Sequence, residues 1–194
     1  MKPAVFIDRD GTINVDTGYI GDPAGLALYP GAGEAIARFN RAGYLVVIIS
    51  NQSGLGRGLF TEADLHAVTQ RLYELLAKDG ARVDANYYAP YHAEAADPRY
   101  LERPEWRKPE PGMIFHAATE HRINMKKSLL IGDRQSDIIA GKRAKLRTAM
   151  VLTGEGAFEY EKIKGTEQEP DFVFNDLLAA ARCFCPEATP GTLF

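Results

Sequence analysis

Val5-Phe6-Ile7-Asp8-Arg9-Asp10-Gly11-Thr12-Ile13 is the stretch on which the reading of the whole chain turns. An apolar run feeds two acids spaced one apart, followed by a glycine. The run has the composition of a buried strand, and a carboxylate at the end of such a strand is costly unless something compensates it. Gly11 lets the backbone turn sharply there. Within a strand the two carboxylates would face opposite ways, but a turn at the strand end can bring both towards one point. A divalent cation is the natural compensator, because hard Mg2+ takes a few oxygen ligands and keeps several waters. On a solvated loop the same Asp-x-Asp pair would mean little. Its position after the strand gives it weight.

Working outward, residues 14–25 are polar and contain glycine, with a turn signal at Gly21-Asp22-Pro23, which predicts a loop over the end of the first strand. Pro30-Gly31 opens a helix carrying Ala32, Ile36 and Phe39 on one face and ending at Gly43. Tyr44 to Ile49 is a continuous, β-branched apolar run of the kind that forms a central parallel strand covered on both faces. Ser50-Asn51-Gln52-Ser53-Gly54 follows, and Gly54, Gly56 and Gly58 predict a flexible stretch. Thr61-Glu62-Ala63-Asp64 has the form of a capping box, and the helix it starts carries Leu65, Val68, Leu72, Leu75 and Leu76 as core residues. Residues 85–89 read as a third strand.

A long polar loop then runs over 90–109, and connections of that length are usually functional or disordered. After a helix opened by Pro111-Gly112, Ser128 to Ile131 reads as a fourth strand ending in Gly132-Asp133-Arg134-Gln135-Ser136-Asp137. A short helix over 138–144, a strand over 149–152, a short strand at 172–174 and a terminal helix capped by Asn175 complete the pattern. Alternating strands and helices without internal repeats predict a doubly wound, mainly parallel α/β sheet in one domain spanning 1–194. No segment is large enough for a separate cap domain.

The chain has 194 residues, enough to bury a full core, with 45% hydrophobic and 25% charged residues. A formal net charge of −3 and the lack of a basic block give no support for a nucleic-acid partner. No apolar run reaches the ~20 residues of a membrane span, and no signal peptide fits before Asp8. The two cysteines, Cys183 and Cys185, are too close for an unstrained bridge, so reduced thiols in a cytoplasmic protein are expected.

Four stations thus lie at the carboxyl ends of predicted parallel strands, where open α/β sheets place their ligands. They are Asp8/Asp10, Ser50/Asn51, Arg107/Lys108 and Asp133/Asp137. Each alone has a bland reading: Ser50 can cap a turn, Lys108 can be a solvated charge, Gly132-Asp133 can be an ordinary turn. Together they supply what phosphoryl transfer needs, namely a nucleophile, a proton shuttle, donors for the phosphoryl oxygens, a cation and a metal ligand.

DxDGT after an apolar strand, with the other stations in this order, resembles motifs I to IV of the haloacid dehalogenase (HAD) superfamily. The strings FIDRDGTINVDTGYI, SNQSGLGRGLFTE and RKPEPGM are similar to those of the D-glycero-D-manno-heptose 1,7-bisphosphate phosphatases and their histidinol-phosphatase relatives. The resemblance, which runs from about Val5 to Leu152, implies a HAD-like Rossmannoid fold and a Mg2+-dependent phosphomonoester hydrolase. Its substrate would be a small phosphorylated sugar, the heptose bisphosphate losing its C7 phosphate in nucleotide-activated heptose synthesis for surface polysaccharide.

It also implies roles. Asp8 would be the nucleophile and Asp10 the general acid/base, and Ser50 and Lys108 would hold the transferring phosphoryl group. Asp133 would complete the metal site with the Asp8 carboxylate and the Asp10 carbonyl. Arg107 and Arg134 would recognise substrate, Arg134 replacing the usual Lys. Asp16, Gly18, Tyr19, Asn51, Gln52 and Ser53 would line the sugar pocket.

One departure stands out. Most relatives carry a structural zinc held by Cys-x-His and Cys-x-Cys in the long loop. Here Ala89 and Tyr91 stand at the first pair and Pro104 and Trp106 at the second, so no structural zinc is expected and His92 reads as an ordinary histidine. Trp106, Tyr91 and the prolines would hold the loop by packing. The competing readings are a histidinol-phosphate phosphatase, a polynucleotide 3′-phosphatase, which should show a basic groove, and a non-catalytic sugar-phosphate-binding module. A monomer is expected.

Overall fold

The computed structural model describes residues 1–101 and 103–186. Six parallel strands form one sheet in the order β3-β2-β1-β4-β5-β6. They are β1 (Ala4–Ile7), β2 (Leu45–Asn51), β3 (Ala85–Ala89), β4 (Leu129–Gly132), β5 (Arg147–Val151) and β6 (Phe172–Phe174). The chain builds outward from β1 through β2 to β3, then returns to the other side of β1 for β4. That reversal opens a crevice at the carboxyl ends of β1 and β4, the place where such sheets bind ligands. The register Phe6↔Val47 and Phe6↔Leu130 brings Asp8, the end of β2 and Asp133 to the same rim.

Both faces of the sheet are covered, which is why β1, β2 as far as Ile49, and β4 are apolar rather than alternating. On one face Val5, Ile7, Val46 and Ile48 pack with α1 (Ala32–Arg41), α3 (Glu62–Ala77) and α7 (Leu177–Phe184). On the other, Phe6, Val47, Ile49 and Leu130 pack with α4 (Gly112–Glu120) and α5 (Gln135–Arg143). A smaller cluster of Ile138, Met150 and Ile163 seats α6 (Gly156–Ile163). The Thr61/Asp64 capping box forms as expected, Thr61 Oγ1 accepting from the Asp64 N–H at 3.2 Å while Asp64 accepts from the Thr61 N–H at 2.8 Å.

Several sequence expectations change. The terminal helix is capped by Asp176, whose side chain accepts from the Ala179 N–H at 2.7 Å, not by Asn175. Helix α5 begins at Gln135, so Asp137 sits in its first turn rather than before it. The glycine-rich stretch after β2 is not a loose connection: Ser53–Gly56 forms a single helical turn, α2, with Gly54 and Gly56 buried. A Cβ on Gly54 would lie 2.5 Å from Phe60, and one on Gly56 would lie 2.1 Å from the Pro90 carbonyl. These glycines serve close packing.

The long loop is ordered by its own contacts. Trp106 Nε1 donates to the Tyr88 carbonyl at 3.1 Å, its ring meets Tyr87 and His116 edge-on, and Arg103 stacks over it at 4.7 Å. The Ala96 N–H donates to the Gly56 carbonyl at 2.8 Å, and the His92 N–H to the Tyr100 carbonyl at 3.0 Å. Residue 102 of this loop lies outside the described residues.

Candidate active site

The sheet's central rim carries an unusual density of buried charge. Asp8 follows β1 directly, its N–H donating to the Ile131 carbonyl at 2.9 Å, so the strand's hydrogen bonding fixes its position. Lys108 enters from the long loop and its ammonium lies 2.7 Å from Asp8 Oδ1 and 2.6 Å from Asp137 Oδ1. It also donates to the Ile49 carbonyl at 2.8 Å. The backbone of Lys108 is held in turn by Asn51, which donates to its carbonyl at 2.9 Å and accepts from its N–H at 3.0 Å. Asn51 lines the cavity, but both ends of its amide are committed to this clasp.

Asp10 stands one turn away. A tight loop, with the Gly11 N–H on the Asn14 carbonyl at 2.8 Å and Gly11 at a φ of 85°, turns its carboxylate towards the same cavity as Asp8. Asp133 is completely buried at the end of β4. It accepts from the Glu155 N–H at 3.0 Å and lies 3.4 Å from Thr12 Oγ1. The turn over 153–155 presses against it: a Cβ on Gly154 would fall 2.2 Å from Asp133 Oδ2. Thr153 Oγ1 ties that turn to the Gly11 carbonyl at 2.7 Å. Sequence reasoning missed this turn, whose Thr-Gly-Glu composition carries no signal of its own.

Burial is the main cause of the site's electrostatics. It raises the Asp8 carboxyl to about 6, against the opposing pull of Lys108, and raises Asp133 to about 8, helped by repulsion from Asp8 and Asp137. Burial alone would lower Lys108, but Asp137 and Asp8 outweigh it and hold the ammonium above its usual range. When all four carboxylates (Asp8, Asp10, Asp133, Asp137) are ionised they outnumber the two enclosed cations, Arg9 and Lys108, by two. Ligand oxygens of Asp8, Asp133 and Asp137 converge within 4.8 Å of one another. An all-oxygen donor set with a charge deficit of two fits a hard divalent cation such as Mg2+. Each of the three is partly engaged already, Asp8 and Asp137 by Lys108 and Asp133 by the Glu155 N–H.

A cavity of about 470 Å³ opens above this floor. Asp8, Asp10, Asp16, Gly18, Tyr19, Ser50, Asn51, Gln52, Ser53, Arg107, Lys108 and Arg134 all line it, together with Gly54, Ser136 and Asp137. Of the site residues expected from sequence, Asp133 alone is outside that lining, sealed beneath. Gln52 faces inward as much as outward, its amide donating to Asp10 Oδ2 at 2.7 Å and to Ser50 Oγ at 2.9 Å. At the mouth, Arg134 Nη2 donates to Asp16 Oδ2 at 2.9 Å, and Arg57 donates to the Tyr19 hydroxyl at 2.9 Å. Arg107 is half-buried, donates to the Tyr91 carbonyl at 3.3 Å, and has its pKa lowered by desolvation.

Comparison with known proteins agrees with this geometry. A HAD-hydrolase-like family model matches residues 105–180. The D-glycero-beta-D-manno-heptose-1,7-bisphosphate 7-phosphatase of Mesorhizobium japonicum is 43% identical over 157 residues, covering 81% of this chain and 72% of that one. The D-glycero-D-manno-heptose-1,7-bisphosphate 7-phosphatase of Thermosynechococcus vestitus is 36% identical over 97% of this chain and 98% of its own. The crystal structure of the D,D-heptose 1,7-bisphosphate phosphatase from B. bronchiseptica, complexed with magnesium and phosphate, superposes with a TM-score of 0.84 at 32% identity. That match covers 96% of this chain and 99% of that one.

Proposed function

Since this chain belongs to the D,D-heptose 1,7-bisphosphate phosphatase family of HAD-like hydrolases, we propose that it removes the C7 phosphate of D-glycero-D-manno-heptose 1,7-bisphosphate with Mg2+ as cofactor. The observation that carries this reading is the asymmetry of the cavity. Its floor holds a buried carboxylate, Asp8, beside a lysine, while its mouth carries two arginines, Arg107 and Arg134. A molecule with a phosphate at each end suits such a site.

In this reading an Asp8 oxygen attacks phosphorus, and the bond from phosphorus to the C7 oxygen breaks as Asp10 gives that oxygen a proton. Asp10 then takes a proton from water, whose oxygen attacks phosphorus and frees Asp8 and inorganic phosphate. Lys108 and Ser50 hold the phosphoryl oxygens throughout. Asp8, Asp133 and the Asp10 carbonyl would hold Mg2+, which would supply the charge that offsets repulsion between the nucleophile and a phosphate of ~1.5–2 negative charges. Arg107 grips the phosphate that stays, aided by Arg134, and Asp16, Gly18, Tyr19 and Ser53 border the sugar. Gln52 and Asn51 support Asp10 and Lys108 from the cavity wall.

No structural zinc is needed in this account, because the loop over 90–109 has no cysteine and is held by Trp106 and its neighbours. Among the described residues no helix is long and apolar enough to cross a membrane. We assign the enzyme to the cytoplasm as a monomeric single-domain protein. The test is a turnover panel with both anomers of the heptose bisphosphate, fructose 1,6-bisphosphate and histidinol phosphate. The heptose bisphosphate should give the highest kcat/KM; a higher value for histidinol phosphate would move the enzyme to the related activity.

A further inference from the structure

Among the described residues Arg9 is the largest fully buried side chain, 1% exposed, although it carries a full charge. Its guanidinium is turned chiefly to one carboxylate, with Tyr88 as a second neighbour. Nε lies 3.1 and 3.2 Å from the two oxygens of Asp10, and Nη2 lies 2.8 Å from Oδ2. Among the described residues Nη1 has no hydrogen-bond partner, and the Tyr88 ring lies 5.8 Å from the guanidinium carbon. Enclosing a cation this way is costly unless its geometry serves something, since removing it from water opposes folding.

The two oxygens of Asp10 have different surroundings. Oδ1 accepts from Asn14 Nδ2 at 2.9 Å, and Asn14 is itself fully buried. Oδ2 accepts from Gln52 Nε2 at 2.7 Å, and Gln52 lines the cavity and reaches Ser50 Oγ at 2.9 Å. Arg9 and Asn14 are therefore enclosed contacts, whereas the Gln52 contact is on the side from which a substrate or water would approach. A planar fork bound to both oxygens also fixes the rotation of the carboxylate, which a single point charge would not do.

We propose that Arg9 is the positioning residue of the acid–base step. It locks the rotation of the Asp10 carboxylate, so that the edge Gln52 meets is the one presented to the departing sugar oxygen and later to water. This rests on the acid–base role of Asp10 proposed above.

The test compares kcat/KM, at saturating Mg2+, for the heptose bisphosphate and for p-nitrophenyl phosphate in wild type, Arg9→Met, Arg9→Lys and Asp10→Asn. The substrates share the nucleophile and differ in the leaving oxygen: the sugar oxygen needs a proton, while p-nitrophenolate leaves without one. Because kcat/KM runs only to the first irreversible step, later hydrolysis of the aspartyl-phosphate does not enter. Arg9→Met should lose ~30- to 300-fold on the sugar phosphate, inside the usual range for a general acid, and less than ~5-fold on p-nitrophenyl phosphate. Arg9→Lys, with the charge but not the fork, should recover part of that loss.

Equal losses on the two substrates, or no loss on either, would overturn the inference and leave Arg9 a structural residue. If Arg9→Met fails to fold by circular dichroism, Arg9→Lys carries the test, and its substrate ratio must still move by at least ~5-fold or the inference falls. Asp10→Asn separates the two readings. Should it leave sugar-phosphate turnover intact, the acid–base assignment itself is wrong; should it alone disturb the substrate ratio, only the role of Arg9 is lost.

Discussion

The floor and the mouth of the cavity are built on opposite terms. At the floor Asp8, Lys108, Asp133 and Asp137 are each at most 5% exposed, and each is tied by a hydrogen bond or ion pair to a buried or backbone partner. At the mouth, Asp16 and Arg134 form a single ion pair with Arg134 46% exposed, and Tyr19 is 51% exposed. Exposed ion pairs of that kind contribute roughly 0–1 kcal/mol, whereas breaking a buried one costs ~3–5 kcal/mol. The difference teaches where the two halves of the function reside. On the proposed function, chemistry would be fixed in a network that cannot rearrange cheaply, and substrate choice would be left to contacts that can exchange with a ligand at little cost.

The sharpest way to break this division is at the nucleophile. Asp8→Asn keeps the size of the side chain and should lower kcat by at least ~10,000-fold on every substrate, with an unchanged circular dichroism spectrum. Near-normal activity in that variant would remove the covalent mechanism. Next is the buried pair. Lys108→Met leaves Asp8 and Asp137 facing each other without their cation, and should cost ~3–5 kcal/mol in urea unfolding as well as activity. A loss below ~1 kcal/mol would show that the floor is not the tightly compensated unit described here.

How much of this division could be read from the sequence follows the same line. The floor was legible: apolar runs ending in acids mark strand ends, and β3 and β6 fall on the residues expected, Ala85–Ala89 and Phe172–Phe174. The Asp8, Lys108 and Asp133 stations converge as their strand ends predict. What was not legible depends on side-chain direction. Nothing in Asn51-Gln52 says that one amide clasps the Lys108 backbone and the other bridges Ser50 to Asp10. Helix α6 was unread because only Gly156 and Ile163 of its eight residues are buried, too few to leave an apolar stripe. Three glycines in six residues suggested mobility after β2, whereas contact with Phe60 and the Pro90 carbonyl is what requires them at Gly54 and Gly56.

The metal sharpens the comparison by acting on the floor alone. The folded-state pKa values of Asp8 and Asp133, about 6 and about 8, lie above the ordinary 3.8. The native protein without metal therefore binds these protons more tightly than the unfolded chain, and their stabilisation is lost as pH rises through those values. Thermal unfolding of the chelated protein should show the Tm falling as pH rises from about 4 and levelling off above about 8, and Mg2+ should restore more at the alkaline end. At 100 times its Kd the ion would add ~2.7 kcal/mol. A Mg2+ increment that is the same at both ends of that window would contradict the proton-for-metal exchange.

Arg107 tests the mouth. A charged hydrogen bond to phosphate is worth ~1.5–3 kcal/mol, so Arg107→Ala should lose roughly 10- to 150-fold in kcat/KM on the bisphosphate. On a heptose monophosphate carrying only the C7 group the loss should be slight. An equal loss on both would place Arg107 at the reacting phosphate and erase the boundary between mouth and floor.

The central claim is that one buried carboxylate does the covalent chemistry whatever the mouth holds. Acid-quenched single-turnover reactions, with the heptose bisphosphate and with p-nitrophenyl phosphate, followed by peptide mass spectrometry, test it most directly. The account predicts a phosphoryl adduct on the peptide containing Asp8 with both substrates, absent in Asp8→Asn. An adduct on another residue, or none at any quench time while phosphate is released, would contradict it.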